Sequence, residues 1–403
     1  MGQGRGVPAA IAGIFFAFGV AAGMWGGSSG AILARSHVDA ATFGFILTVY
    51  TGAYLIAMSG SGTLAQRLGV RSVLSLSGVG FGGAVFALLA ASSGATMATS
   101  LIASGFLGGT TDVLMNAEGA RIERRLGKPI LARLHAAASS GMAIGAILGS
   151  LVAASAVPWA GGLAAALGLA LACLAYDIAA RKEPDPPPVG VLSSRGLSLT
   201  PMLVGLGVVI GVSIAAETAS LVWSALLLRA EAPQLAAVAG LGASFFSACQ
   251  ATLRFNADFV RLKVSDERII VASFALAAIG FAMVAATGGF VSSVAGFALI
   301  GLGTGAIVPC AFALAARQTP AQPAVGLSSA SLFSAATRLP APLLTGAIAQ
   351  SLSLTSAFAA FAVALVASAV GMAAMASAGA RRTDGRKASL PWRAASPTRG
   401  RDF

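Results

Sequence analysis

Four stripes of polar residues interrupt runs that are otherwise apolar, and they hold the chemistry this chain can do. Ser213, Glu217, Ser220 and Ser224 follow at steps of 4, 3 and 4, so they share one helical face. Ser328, Ser331, Ser334 and Arg338 repeat the device, with Pro340 and Pro342 directly after, where they should kink a helix and free backbone carbonyls. Ser247, Gln250 and Arg254 make a shorter stripe, and Ser104, Gly108, Asp112 and Asn116 recur every fourth residue. A carboxyl group kept from water can load and release a proton near neutral pH, whereas a guanidinium keeps its charge. The expected chemistry is therefore proton exchange at Glu217, with Arg338 pairing to it when it is ionised and turning to an anionic or hydroxylated solute when it is protonated. Whether these two residues meet, or whether Asp112 and Glu217 are only structural hydrogen-bonding groups, the spacing leaves open.

Other chemistries lack their residues. No metal-ligand spacing occurs, and the two histidines make no triad with the serines, so the expectation is no enzyme, no metal and no cofactor. The absence of a G-x-x-x-x-G-K-[ST] sequence argues against an ATP-driven pump. Cys173, Cys249 and Cys310 lie in apolar runs and read as small buried hydrophobes. His135 reads as a solvated or helix-packing residue, and Glu118 as close enough to a helix end to be solvated. Gly141, Gly145 and Gly149 repeat every four residues, a close-packing face.

The elements that position these stripes follow from composition. Of 403 residues, 57% are hydrophobic and only 10% charged, with a mean hydropathy of +0.85. Too few charges remain to clothe a soluble surface, so the chain is expected to span the lipid bilayer. A hydrocarbon core about 30 Å thick needs about 20 apolar residues per helix. Twelve runs qualify: 7–27, 42–62, 72–91, 96–118, 132–154, 159–180, 201–226, 234–254, 268–287, 290–315, 325–348 and 353–376. With this count, 23 of the 26 basic residues fall on one side, leaving Arg35 and Arg229 opposite and Arg338 inside a span. That bias predicts cytoplasmic termini in the cell (inner or plasma) membrane, and it accounts for the net charge of +12 without nucleic acid. The first run is too long for a cleavable leader.

Residues 181–200 hold four prolines and mixed charge, and read as a cytoplasmic linker. They divide a bundle of six helices over 1–180 from a second over 201–378, with a disordered basic tail over 379–403. Trp25 and Trp223 sit near corresponding ends of spans 1 and 7.

The segment GTLAQRLGVR (62–71) resembles the signature loop G-x-L-x-D-R-x-G-x-R of the major facilitator superfamily, with Gly62, Leu64, Arg67, Gly69 and Arg71 in place and Gln66 where the family carries Asp. TTDVLMNAEGARIERRLGKPILARLHA (110–136) and ETASLVWSALLLR (217–229) resemble a fucose-permease-like branch of it. This implies two six-helix bundles related by a pseudo-twofold axis, with a latch at the cytoplasmic side in which Gln66 holds no charge. Arg254 and Asp258, at i,i+4, offer the second half's counterpart. The branch often has an Arg shortly after the Trp of span 1, but Trp25 is followed by Gly26, Gly27, Ser28 and Ser29.

The expected function is a monomeric secondary transporter working by alternating access, with proton-coupled uptake of a small polar solute such as a sugar. Its expected site is Glu217, Arg338, Asp112, Asn116, Ser213, Ser220, Ser331, Trp25 and Trp223. Export of a metabolite or drug is the alternative, and a non-transporting membrane sensor the reading from another class.

Overall fold

The computed structural model describes residues 6–181 and 197–388, with side chains described except at 258, 287 and 378–388. Every regular element among the described residues is helical. The first half runs α1 (Gly6–Ser36), α2 (Ala40–Leu68), α3 (Val70–Leu89), α4 (Gly94–Leu126), α5 (Leu131–Ala153) and α6 (Trp159–Ala180). The second runs α7 (Pro201–Glu231), a 3-10 turn (Pro233–Val238), α8 (Leu241–Arg261), α9 (Asp266–Thr287), α10 (Phe290–Thr304), α11 (Ile307–Gln318), α12 (Pro323–Arg338), α13 (Ala341–Ser351) and α14 (Leu354–Ala388).

Local chemistry sets the boundaries. The Asp39 carboxylate accepts from the Thr42 N–H at 2.7 Å and starts α2, and that bond holds its carboxyl below the usual range. Ser93 and Thr96 form a capping box at α4. Gly69 sits at φ 84° between α2 and α3, a left-handed corner that needs glycine. The expected kink at Pro340 is a full break: α12 stops at Arg338, and α13 starts at Ala341.

Among the described residues, ten segments are long and apolar enough to cross a membrane, with α10 and α11 joined as one. Two of the twelve expected spans are not among them. One is α4, which carries Asp112, Asn116 and a charged last turn, and the other is the α12–α13 pair, too short individually once proline divides it. Both still pack within the bundle, α4 on α2 and α3, and α12 on α7. Leucines and valines such as Leu76, Leu171, Val363 and Val370 face outward, as a lipid-covered surface requires. Toward the chain end, α14 continues to Ala388, past the point where a disordered tail was expected. The expected linker falls largely on 182–196, and the rest of the tail on 389–403, both outside the described residues.

Close backbone contact holds the first half together. A Cβ on Gly141, Gly145 or Gly149 of α5 would land on the carbonyl oxygen of Phe16, Val20 or Met24 in α1. Gly19, Gly23 and Gly27 of α1 meet Ala138, Met142 and Ala146 in the same way. With no hydrophobic force between helices in lipid, such approach supplies the attraction through van der Waals packing.

The end that carries the basic loops is pinned in each half by a carboxylate. Glu118, expected to be solvated, is buried: the Tyr176 hydroxyl donates to it at 2.7 Å, and Arg121 grips it with both Nε and Nη2, at 2.7 and 2.6 Å. In the second half, Asp266 in the first turn of α9 receives Arg261 from α8 and Arg317 from α11.

Both kinds of contact can be measured through stability. Gly145→Val should cost about 1–3 kcal/mol by overpacking, read as a lower melting temperature of the purified protein, whereas Gly168→Val, with open space around its Cβ position, should leave it unchanged. Tyr176→Phe removes one bond to the Glu118 carboxylate, which Arg121 also grips, and should cost about 1.5–3 kcal/mol by the same measurement.

Candidate functional site

The two halves meet along α1–α7, α2–α13 and α5–α8, and enclose between them a cavity of about 440 Å³. Its walls carry Asp112, His135, Glu217, Arg254 and Arg338, together with Trp25, Tyr50, Tyr54, Phe81 and Phe312. Faces this polar cannot look at lipid, so their convergence is the solution the bilayer imposes.

One group of charges belongs to the second half and reaches across to the first. Arg254 Nη2 lies 3.2 Å from Glu217 Oε2, while its Nη1 donates to Ser139 Oγ of α5 at 2.9 Å. Ser139 lies 3.3 Å from Gln250 Oε1, Gln250 Nε2 donates to Thr304, and Ser213 donates to the other Glu217 oxygen at 3.4 Å. His135 is edge-on to Phe15 with 5.7 Å between ring centres and lies near Arg254. It lines the cavity rather than standing in solvent.

The second group spans the halves. Asn116 Nδ2 donates to both the backbone carbonyl and the carboxylate of Asp112, at 2.9 Å each. The Tyr54 hydroxyl faces the same carboxylate, and Arg338 of α12 acts on Asp112, Tyr50 and Tyr54 across the cavity. Among the described residues, the one hydrogen-bond contact of Arg338 Nη2 is the Met58 sulfur, at 3.8 Å, and its Nε is buried without a partner.

The expected pairing of Glu217 with Arg338 is therefore corrected. Glu217 pairs with Arg254, because α8 presents that guanidinium to α7, and Arg338 sits instead beside Asp112. Arg254, expected in a cytoplasmic latch, belongs to the cavity, and its proposed latch partner Asp258 has no described side chain. Ser331 and Ser334 line the cavity with Trp25 and Trp223, whose ring packs edge-on to Phe43 at 5.0 Å. Ser220 does not line it: its hydroxyl returns to the Ala216 carbonyl. Asn116 stands behind Asp112 rather than in the lining. In the signature loop, Gly62 is buried, Gln66 and Arg67 are exposed, and Gly69 and Arg71 are half-buried.

Sequence reasoning missed Tyr50, Tyr54 and Ser139. The two tyrosines at i,i+4 in an apolar span were a readable signal, whereas a lone serine among small residues gave none.

One end of the cavity is closed. Toward the charge-poor end, Ser29 Oγ donates to the Val222 carbonyl at 2.6 Å, and Gly44 of α2 packs directly on Gly346 of α13. Gly26 and Gly30 lie against Leu221 and Ala225, and Gln350 accepts from the Ala40 N–H at 3.3 Å. At its other end the lining reaches His135, in the opening turns of α5 beside the basic loops.

No protein-family model matches the chain. An uncharacterized MFS-type transporter of Yersinia pestis is 27% identical over 85% of this chain and 89% of its own. The uncharacterized transporter y4wD of Sinorhizobium fredii is 27% identical over 88% and 93%, and the membrane protein MosC of Rhizobium meliloti 28% over 86% and 84%. Among solved structures, a point mutant of the nucleoside transporter NupG superposes with a TM-score of 0.73 at 13% identity, covering 92% of this chain and 99% of that one. A point mutant of a peptide transporter, POT, gives 0.69 at 13% identity over 93% and 98%. The chain is thus a multi-pass membrane protein that is similar over most of its length to proteins described as transporters, one of them MFS-type, and that shares its fold with the nucleoside and peptide transporters.

Proposed function

We propose that the protein is a secondary active transporter that moves a small polar solute by alternating access, coupled to protons and in the direction of uptake. The observation that carries this reading is the cavity shared between the halves, lined by two carboxylates and two guanidiniums and sealed at its charge-poor end. In this reading the chain has twelve spans in two bundles, with both termini and the basic loops on the cytoplasmic side, which would make the arrangement inward-facing. Rocking of the halves about their α5–α8 contact would pass the cavity from one side to the other.

Glu217 is the proton carrier in this reading. When ionised it holds Arg254, which bridges to Ser139 in the other half, so protonation loosens a contact that spans the two halves. Gain or loss of one proton then changes how firmly the halves are joined, and coupling needs that link.

In proteoliposomes, Glu217→Gln should abolish accumulation driven by an imposed pH gradient while solute exchange without a gradient continues. Normal pH-driven accumulation by this variant would remove Glu217 from the mechanism. A bulky wedge at the sealed end, Gly346→Trp, should keep the halves from closing there. With Cys173, Cys249 and Cys310 replaced by alanine, a single cysteine at position 25 (Trp25→Cys) should then react with an impermeant maleimide added from the outside about tenfold faster than in the unwedged parent.

A further inference from the structure

The two cavity arginines differ in what they hold. Arg254 spends its guanidinium on Glu217 and Ser139. Arg338 has no oxygen acceptor and no carboxylate at ion-pair distance among the described residues. Its one nitrogen contact is a thioether, and its Nε is buried with no partner. A guanidinium carries five N–H donors, and leaving them unmet away from water is costly. The nearest anion, Asp112, is already engaged by Asn116 and faced by Tyr54, and it acts on Arg338 only at a distance. The cavity therefore holds one open, planar pair of donors, flanked by the rings of Tyr50 and Tyr54 and the sulfur of Met58.

Resting on the transport reading above, we propose that the solute bears a single carboxylate, which docks on the Arg338 guanidinium while its body lies against Tyr50, Tyr54 and Trp25. The fork of the guanidinium matches a carboxylate through two parallel hydrogen bonds. One negative charge is the number that fits. While Glu217 is ionised it neutralises Arg254, so a dianion would find one free cation and, close by, the opposing charge of Asp112. Asp112 then acts as a competitor: the groups that face it are Tyr50, Tyr54, Asn116 and Arg338, and Arg338 alone among them carries charge.

The test uses the purified full-length protein and thermal-shift titration with gluconate, lactate and benzoate. The uncharged counterparts are glucose, lactamide and benzamide, and glucose 6-phosphate serves as the dianion. At least one acid should raise the melting temperature where its uncharged counterpart does not. Arg338→Gln should weaken that acid about 10- to 100-fold, with Arg338→Lys, which keeps the charge but loses the fork, falling between. Asp112→Asn should tighten it about tenfold by removing the competing charge. Binding of the uncharged counterpart as tightly as the acid, unchanged acid binding by a folded Arg338→Gln variant, or preference for glucose 6-phosphate would each overturn the carboxylate assignment. An acid that binds through Arg338 but is never accumulated or exchanged in proteoliposomes would instead bring down the transport reading and leave the binding site standing.

Discussion

An ionised group at bilayer depth must find either water or an opposite charge, and the arrangement of this protein follows from how few such groups it has and where they go. A lone charge at a helix centre costs about 2.5–3.5 kcal/mol on insertion scales. Glu217, Arg254, Asp112 and Arg338 all escape that penalty by facing one cavity, and each is contributed by a different helix. Because α4 belongs to one half and α7, α8 and α12 to the other, satisfying these charges also requires that the halves face one another. The polar lining is thus a constraint on the fold as well as a binding surface.

The packing that surrounds the cavity answers a second constraint. Lipid gives no hydrophobic push between helices, so association depends on close approach. The glycines of α1 and α5 provide it within the first half, and Gly44 against Gly346 provides it between halves at the sealed end. These two uses differ in consequence. Contacts within a half have no reason to part, whereas the interface between halves at the sealed end is made of small residues and few hydrogen bonds. Such an interface can separate without stranding charge.

Much of this was readable in the residues, and the boundary is physical. Apolar runs, caps and prolines are local, so ten of the expected spans recur as membrane-length segments and the break before Pro340 lies where its missing N–H demands it. The glycine repeat on α5 was legible for the same reason. Partners were not legible, because they depend on which helices become neighbours. Helical spacing marked Glu217 and Arg338 as inward-facing but could not say that α8, rather than α12, would bring a guanidinium to Glu217. Glu118 looked solvated from its place near a helix end, yet Tyr176, 58 residues away, closes over it. The roles of Ser139 and Tyr54 emerge only once α5 meets α8 and α2 meets α4.

The departure at Gln66 gains a structural context from the comparison of the two halves. At the basic end, the second half places an acid, Asp266, in the first turn of α9, where it suits the helix dipole and gathers arginines from α8 and α11. The corresponding turn of α3 holds no acid and instead begins with Val70 and Arg71. The first half puts its carboxylate one helix later, as Glu118 of α4, held by Arg121 on the same helix and by Tyr176 of α6, with Arg71 acting on that tyrosine. Both halves therefore keep one buried carboxylate bonded to arginine at this end, but in the first it is built into a helix rather than carried beside the loop. A neutral glutamine, exposed in the last turn of α2, is compatible with that design, since the charge it would have supplied is already inside the bundle.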